Sequence, residues 1–282
     1  MRKLTPIFKD YIWGGTRLKT EYGKQTDLPR VAESWELTGE PVLIKLIDAK
    51  ESLSVQVHPD DEYARAHENS VGKTEMWVIL DCEPGAFLCF GFTRELTRDE
   101  VRARVDNGTL TEVLRKLPVR RGDAVFIPAG TVHAIGAGIV LAEIQQNSNV
   151  TYRLYDFGRL DADGNPRPLH IEQALDVALL KPSPLTAPGR GEARVSADFR
   201  EERLAGCEYF TVDRVALSGT YTQTAPGFRS VLCCEGDCTA GCGGETLRIT
   251  KGDSVYIPAG SGELTLSGGA TVLVCGQFTD NR

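Results

Sequence analysis

One thirteen-residue stretch occurs twice in this chain. Arg121–His133 reads RGDAVFIPAGTVH, and 130 positions later Lys251–Glu263 reads KGDSVYIPAGSGE. Both copies keep Gly-Asp, a valine and Ile-Pro-Ala-Gly in the same places, and Arg121/Lys251 and Phe126/Tyr256 are close substitutions. A short apolar run entering a Pro-Ala-Gly turn reads as a strand with a fixed exit. Its recurrence implies a duplicated β unit. The copies differ at the end, where His133 faces Glu263. Imidazole ligates metals and moves protons, so the reactive centre is expected in the first unit and lost from the second.

The rest of the chain keeps a β rhythm. Strands are expected at Leu43–Ile47, Leu53–Val57, Glu75–Leu80, Ala124–Ile127, Ile139–Gln145 and Thr151–Tyr155, each bounded by Gly, Pro or polar residues. Thr97–Leu117 breaks the pattern with apolar residues at helical spacing, and reads as two short helices joined at Asp106-Asn107-Gly108. A further helix is expected over Pro168–Leu180. The Pro- and Gly-rich stretch 183–195 reads as a linker, dividing a catalytic domain (1–182, helical insert about 97–117) from a degenerate β domain (196–282). The expected fold is mainly β: two jelly-roll barrels with a small helical insertion.

At 282 residues the chain can bury two cores. Its net charge of −7, without a basic run, argues against nucleic acid or an anionic membrane as partner. No apolar window has signal-peptide or membrane-span length, so a cytoplasmic protein is expected, as a monomer or homodimer. Four of the eight cysteines crowd into Cys233–Cys242, but without the paired knuckles of a structural zinc site, so free thiols are expected. Gly241–Gly244 precedes no helix-forming run and is not read as a phosphate loop.

Three segments carry the chemistry. Period-two alternation puts Ser54, Gln56 and His58 on one face of their strand and Val55 and Val57 on the other. The same rule groups Lys73, Glu75 and Trp77, and His133 follows the Ile127–Gly130 turn. Two imidazoles, a carboxylate and an amide suit a divalent ion such as zinc, manganese or iron. Arg153 and Arg159 follow on a later strand and loop, where paired guanidinium groups suit a phosphate. An alternative for Arg159 is a surface salt bridge to Asp156 or Asp161.

These residues resemble a known family, the type I mannose-6-phosphate isomerases of the cupin superfamily, in their short bacterial form. The resemblance rests on Tyr11–Gly15 (YIWGG), Glu33–Gly39 (ESWELTG), Leu53–Ala64 (LSVQVHPDDEYA), Gly72–Trp77 (GKTEMW), Ile127–Gly136 (IPAGTVHAIG) and Asn149–Arg159 (NVTYRLYDFGR). It spans roughly residues 5–180; the C-terminal region resembles the family only in its cupin-like rhythm. The resemblance implies one zinc ion per chain on Gln56, His58, Glu75 and His133. It implies a catalytic Arg153, with Arg159 and Ser54 near the phosphate of a sugar-phosphate substrate. Lys73 falls where some members have a lysine proposed for proton transfer; Gly72 stands where certain members have a histidine.

Moving a proton between carbons 1 and 2 of a sugar through an enediol needs a base and a cationic site for the developing oxygen charge. Lys73 is the first candidate base and Glu143 the second. Competing readings are an iron-dependent cupin oxygenase and a non-catalytic carbohydrate-binding cupin.

Overall fold

The computed structural model describes residues 1–37, 40–160 and 164–277. Thr38 and Gly39 of the Glu33–Gly39 motif, Asp161 and the last residues of the expected C-terminal domain, 278–282, lie outside them.

The described residues form antiparallel sheets with few helices. In the N-terminal half two sheets face each other. One runs, in spatial order, Ile7–Lys9, Glu33–Leu37, Val42–Ala49, Ile139–Gln146, Glu75–Cys82, Ala124–Ile127. The other runs Tyr152–Tyr155, Val55–Val57, His133–Ile135, Phe87–Phe92, Leu114–Pro118. Alternation along the strands builds the core between them, with Ile47, Trp77, Ile79 and Leu141 meeting Leu88, Phe90 and Ile135.

Both outer faces are also covered, which explains why Val42–Ala49 and Ile139–Gln146 are buried at every position. Val55, Val57, Ala134 and Leu154 on the outside of the five-stranded sheet pack under helices, through Val101, Val105, Ala174 and Leu175. Ile44, Leu46, Met76 and Ile144 on the outside of the six-stranded sheet pack against Leu204, Phe210, Leu232 and Leu273 of the C-terminal half.

That half is a second β unit. Its two long strands, Arg229–Cys242 and Leu264–Gly276, pair along their length and exchange their outer partners part-way. The bend falls at a bulge between Cys233 and Glu235. A third apolar core, with Val215, Tyr221, Val231, Ile249 and Leu266, fills its interior. The halves are joined twice more. Arg2–Lys3 pairs with Ser254–Ile257 of the C-terminal sheet. Buried Lys24 sits 2.6 Å from Glu36 and donates to the Gly252 carbonyl, while Ser254 donates to Glu36 at 3.1 Å.

The mainly β, cupin-type architecture is as expected, and three local readings are corrected. Thr97–Leu117 is one α-helix, Arg98–Asp106, a 3-10 turn, Leu110–Val113, and then the strand Leu114–Pro118. Leu114 and Leu117 are recruited by the sheet edge, pairing with Phe92 and Leu88, and tertiary pairing overrides their helical spacing. The helix expected over Pro168–Leu180 spans only Ile171–Val177. The helix Asp61–Glu68 was not anticipated, although Asp60 caps it by accepting from the Tyr63 amide at 2.9 Å and acids fill its first turn. The stretch 183–193 has no regular structure, and Arg194–Val195 pairs with Phe199–Gly206. Among the described residues, no helix is long and apolar enough to cross a membrane.

Phe210 is fully buried where the halves meet, 6.3 Å from Phe126 between ring centroids. Phe210→Ala is expected to cost about 3–5 kcal/mol, read as a lower denaturant midpoint. Because the core is shared, fluorescence and circular dichroism should follow one transition. A loss confined to one of two separate transitions would contradict that shared core.

Candidate metal centre

The centre is built from three strands of the facing sheets. His133 lies opposite Gln56 in the five-stranded sheet, and Glu75 reaches in from the six-stranded one, where it is paired with Ile127. His58, Glu75 and His133 are fully buried and place one ligand atom each within 4.8 Å of one another. His58 Nε2 is 3.3 Å from Glu75 Oε1, and His133 Nε2 is 3.7 Å from Oε2. Gln56 Nε2 lies 3.4 Å from His133 Nε2; exchanging the two ends of the amide would present its oxygen instead. Hence the four expected ligands come together.

The hydrogen bonds behind the rings favour metal binding. His58 Nδ1 lies 2.8 Å from the Val150 carbonyl, and His133 Nδ1 lies 2.8 Å from that of Thr131. Carbonyls only accept, so both Nδ1 atoms carry the proton and both Nε2 lone pairs face Glu75. Trp77 packs edge-on against His133 at 5.3 Å. Neither Glu75 oxygen has a well-aligned hydrogen-bond donor. Its nearest cation, Lys73 Nζ, forms an ion pair at 2.5 Å. A sealed carboxylate whose only cation partner among the described residues is Lys73, beside two imidazole lone pairs, is a donor set that a divalent cation fits.

Electrostatics point the same way. Burial, helped by the Lys73 ammonium, pushes His58 down to about 3, and burial also lowers His133. Both rings are therefore neutral and able to ligate near neutral pH. Burial works against the charge on Glu75, yet the Lys73 ammonium holds its carboxyl well below the usual carboxylate range.

A cleft of about 490 Å³ adjoins the centre through Gln56 and Lys73 and is lined also by Ser54, Glu143 and Arg153 among others. Glu143 is held from both sides, accepting from Lys45 Nζ and from Trp77 Nε1, each at 3.0 Å. Burial and the neighbouring Glu75 charge raise its pKa, against the pull of Lys45. Arg153 donates to the Pro168 carbonyl at 2.8 Å and leaves its buried Nε without a partner.

Arg159 does not line this cleft. It is engaged with Asp156 and, at 2.6 Å, with the Ser52 carbonyl, which is the ion-pair alternative raised from the sequence. Arg167 lines the cleft instead, its Nε and Nη2 donating side-on to the two oxygens of Asp156, each at 2.6 Å. Burial, and then the nearby Arg167 charge, lower the Arg153 pKa. Sequence reading also missed Glu33, Trp35 and Lys45 on the opposite wall, where Lys45 lies over the Trp35 ring. Of these, Arg167 had a local signal, as an arginine beyond the Asp156 turn, and Glu33 and Trp35 lie in the Glu33–Gly39 motif already singled out; Lys45 had none.

Residues 200–276 match the family described as mannose-6-phosphate isomerase, cupin domain. The C-terminal half therefore carries a family signature beyond the rhythm recognised in its sequence. Over 95% of its length the chain is 36% identical to mannose-6-phosphate isomerase ManA of Bacillus subtilis, covering 96% of that protein. It is 35% identical to a mannose-6-phosphate isomerase of Streptococcus mutans, with 88% and 89% of the two chains covered. The crystal structure of a mannose 6-phosphate isomerase from Bacillus subtilis superposes with a TM-score of 0.90 at 30% identity, over 97% of this chain and 98% of that one. A phosphomannose isomerase from Salmonella typhimurium, 16% identical with a TM-score of 0.77, shares the fold. With its metal-type centre at the floor of the first β unit and its relatives matched from end to end, this chain belongs to the mannose-6-phosphate isomerase family.

Proposed function

We propose that this chain interconverts D-mannose 6-phosphate and D-fructose 6-phosphate at the cleft, with one zinc ion per chain. The observation that carries the reading is a buried His58–Glu75–His133 set next to a cleft that holds two arginines and shares Gln56 and Lys73 with it, in a chain of this family. His58, Glu75 and His133 would hold the ion, with Gln56 as a further ligand. When bound, zinc supplies Lewis acidity for the sugar's carbonyl oxygen, the more so because Glu75 is the only anionic ligand.

The chain's own groups divide the remaining work. Lys73 moves the proton. With zinc taking up the Glu75 charge, Lys73 as the free amine would remove the proton from carbon 2. The C–H electron pair becomes the carbon 1–carbon 2 double bond as the carbonyl pair moves onto oxygen 1, and return of that proton to carbon 1, with the oxygen 2 hydroxyl proton passing to oxygen 1, leaves the carbonyl at carbon 2. The place of Lys73 on the cleft lining supports this role. Glu143, already accepting from Lys45 and Trp77, is a positioning group that holds Lys45 in the wall. Arg153 faces the reacting carbons as a preorganised cation. Arg167, with Ser54, receives the phosphate in place of Arg159, and Asp156 fixes its fork. No observation favours an oxygenase or a non-catalytic cupin over this reading.

Metal analysis and a coupled isomerase assay test it together. Wild-type protein should carry close to one zinc per chain, and His133→Ala should lose the metal and turnover while keeping its circular dichroism spectrum. Full turnover by a metal-free His133→Ala protein would sink the zinc assignment. Lys73→Met should lower kcat by roughly 10²–10⁴-fold; a change in KM alone would remove Lys73 from proton transfer. Arg167→Ala should raise KM for the phosphorylated sugar by roughly 10- to 100-fold, as loss of a charged hydrogen bond implies, whereas Arg153→Ala should act mainly on kcat. Identical profiles for the two arginine variants would contradict the division of roles.

A further inference from the structure

The repeated segment locates, in the second β unit, the position that holds Glu75 in the first. Glu75 lies opposite Ile127 in its sheet; Arg229 lies opposite Ile257, the same residue of the repeat. A guanidinium thus stands where the first unit has its anionic ligand. Arg229 shares the inward face of its strand with Val231 and Cys233 and is 1% exposed. Its Nη1 and Nη2 donate to the carbonyls of Gln223 and Gly262, at 2.7 and 2.6 Å, and its Nε has no partner. Among the described residues no carboxylate forms an ion pair with it, and Glu263, the counterpart of His133, is exposed. Burial lowers the Arg229 pKa, against the nearby Cys242 thiol.

A cavity of about 700 Å³ opens beside this residue across the same face of the sheet, larger than the cleft above the metal centre. Its other cations are already neutralised, Arg194 by Glu201 at 2.8 Å and Arg203 by Asp213. Thr211 and Thr222 add hydroxyls, and the buried Oε1 of Gln223 has no donor. Exposed Glu192 at the rim brings the formal charge of the lining to zero, so the uncompensated positive charge is local to Arg229. A buried charge without a counter-charge is expensive, and a cavity beside it leaves room for the missing anion.

We infer that the mouth of the C-terminal β unit is a second binding site, for a small metabolite bearing a phosphate or carboxylate on a hydroxylated carbon chain, with Arg229 as its anion-holding residue. Binding exchanges the neutral Gln223 carbonyl for an oxyanion, a stronger acceptor for a guanidinium. It therefore moves the segment Gln223–Gly227, which walls the cavity. The charge pairs and hydroxyls around it suit a polyol chain.

Calorimetric titration of the zinc-loaded enzyme with inorganic phosphate tests this, alongside a second titration with gluconate to separate phosphate from carboxylate preference. Wild-type protein should bind two equivalents of whichever anion the mouth prefers, or one at each site if the preferences differ. Arg153→Ala and Arg167→Ala should weaken only the cleft event. Arg229→Met should abolish the other while leaving isomerase kcat and KM unchanged, and Arg229→Lys should partly restore it. Thr224→Glu, a change at an exposed position of the mouth, supplies a variant that leaves the buried interior intact, and should weaken the same event at least tenfold. Ligand-induced change in hydrogen exchange should fall on residues 223–227. If neither anion binds outside the cleft, or if Arg229→Met and Thr224→Glu bind as wild type does, the site does not exist and Arg229 only ties the Gln223 and Gly262 carbonyls together.

Discussion

A carboxylate sealed between two β-sheets sets the terms for everything around it. Glu75 is fully buried, and the Lys73 ammonium beside it sustains its charge against burial. Removing one ion from water costs several kcal/mol even after relaxation, so the groups around it must be held without slack. The two sheets provide that rigidity. Glu75 comes from one, with Lys73 just ahead of its strand, Gln56 and His133 from the other, and each imidazole is locked by a backbone carbonyl at its far nitrogen. The helices over one sheet and the C-terminal half over the other keep both faces dry.

The same logic extends to the cleft walls in a second layer of pairing. Lys45 is enclosed between Glu143 and Glu33, whose charges keep it protonated although burial opposes it. Asp156 does the reciprocal work for two arginines, and its own carboxyl stays below the usual range despite burial because Arg167 and Arg159 flank it. Each wall is thus a neutralised network with one group left over to meet a ligand. In the first β unit that group is a cationic face around a metal-type site; in the second it is a lone guanidinium.

Part of this was legible in the sequence because strand periodicity is local. Alternation alone grouped Ser54 with Gln56 and Lys73 with Glu75 and Trp77, and the repeat located His133. Sheet order is not local, and most of what was missed depends on it. Lys45 meets Glu143, and Glu143 meets Trp77, because three strands distant in the chain are neighbours with matched register. Nothing near Lys45 in the sequence announces that. Arg159 and Arg167 show a different limit, since both follow Asp156 and only the path of the loop decides which one turns into the cleft. Leu114–Pro118 reads as helix by spacing and becomes strand because an edge was waiting for it. The Arg229 substitution is visible only once the registers of both units are compared.

The pairing of Arg2–Lys3 with Ser254–Ile257 bears on how the protein reaches this state. Contacts that close so long a loop form late, because the entropy lost in closing it is recovered only after the intervening chain is organised. Until then the C-terminal sheet keeps an open edge along Ser254–Ile257, able to template the wrong neighbour. A two-residue strand with Arg2 and Lys3 as its side chains is a polar seal for that edge. Trimming or burying those residues in a fusion should leave the completed enzyme's cleft intact while making its assembly more prone to aggregation.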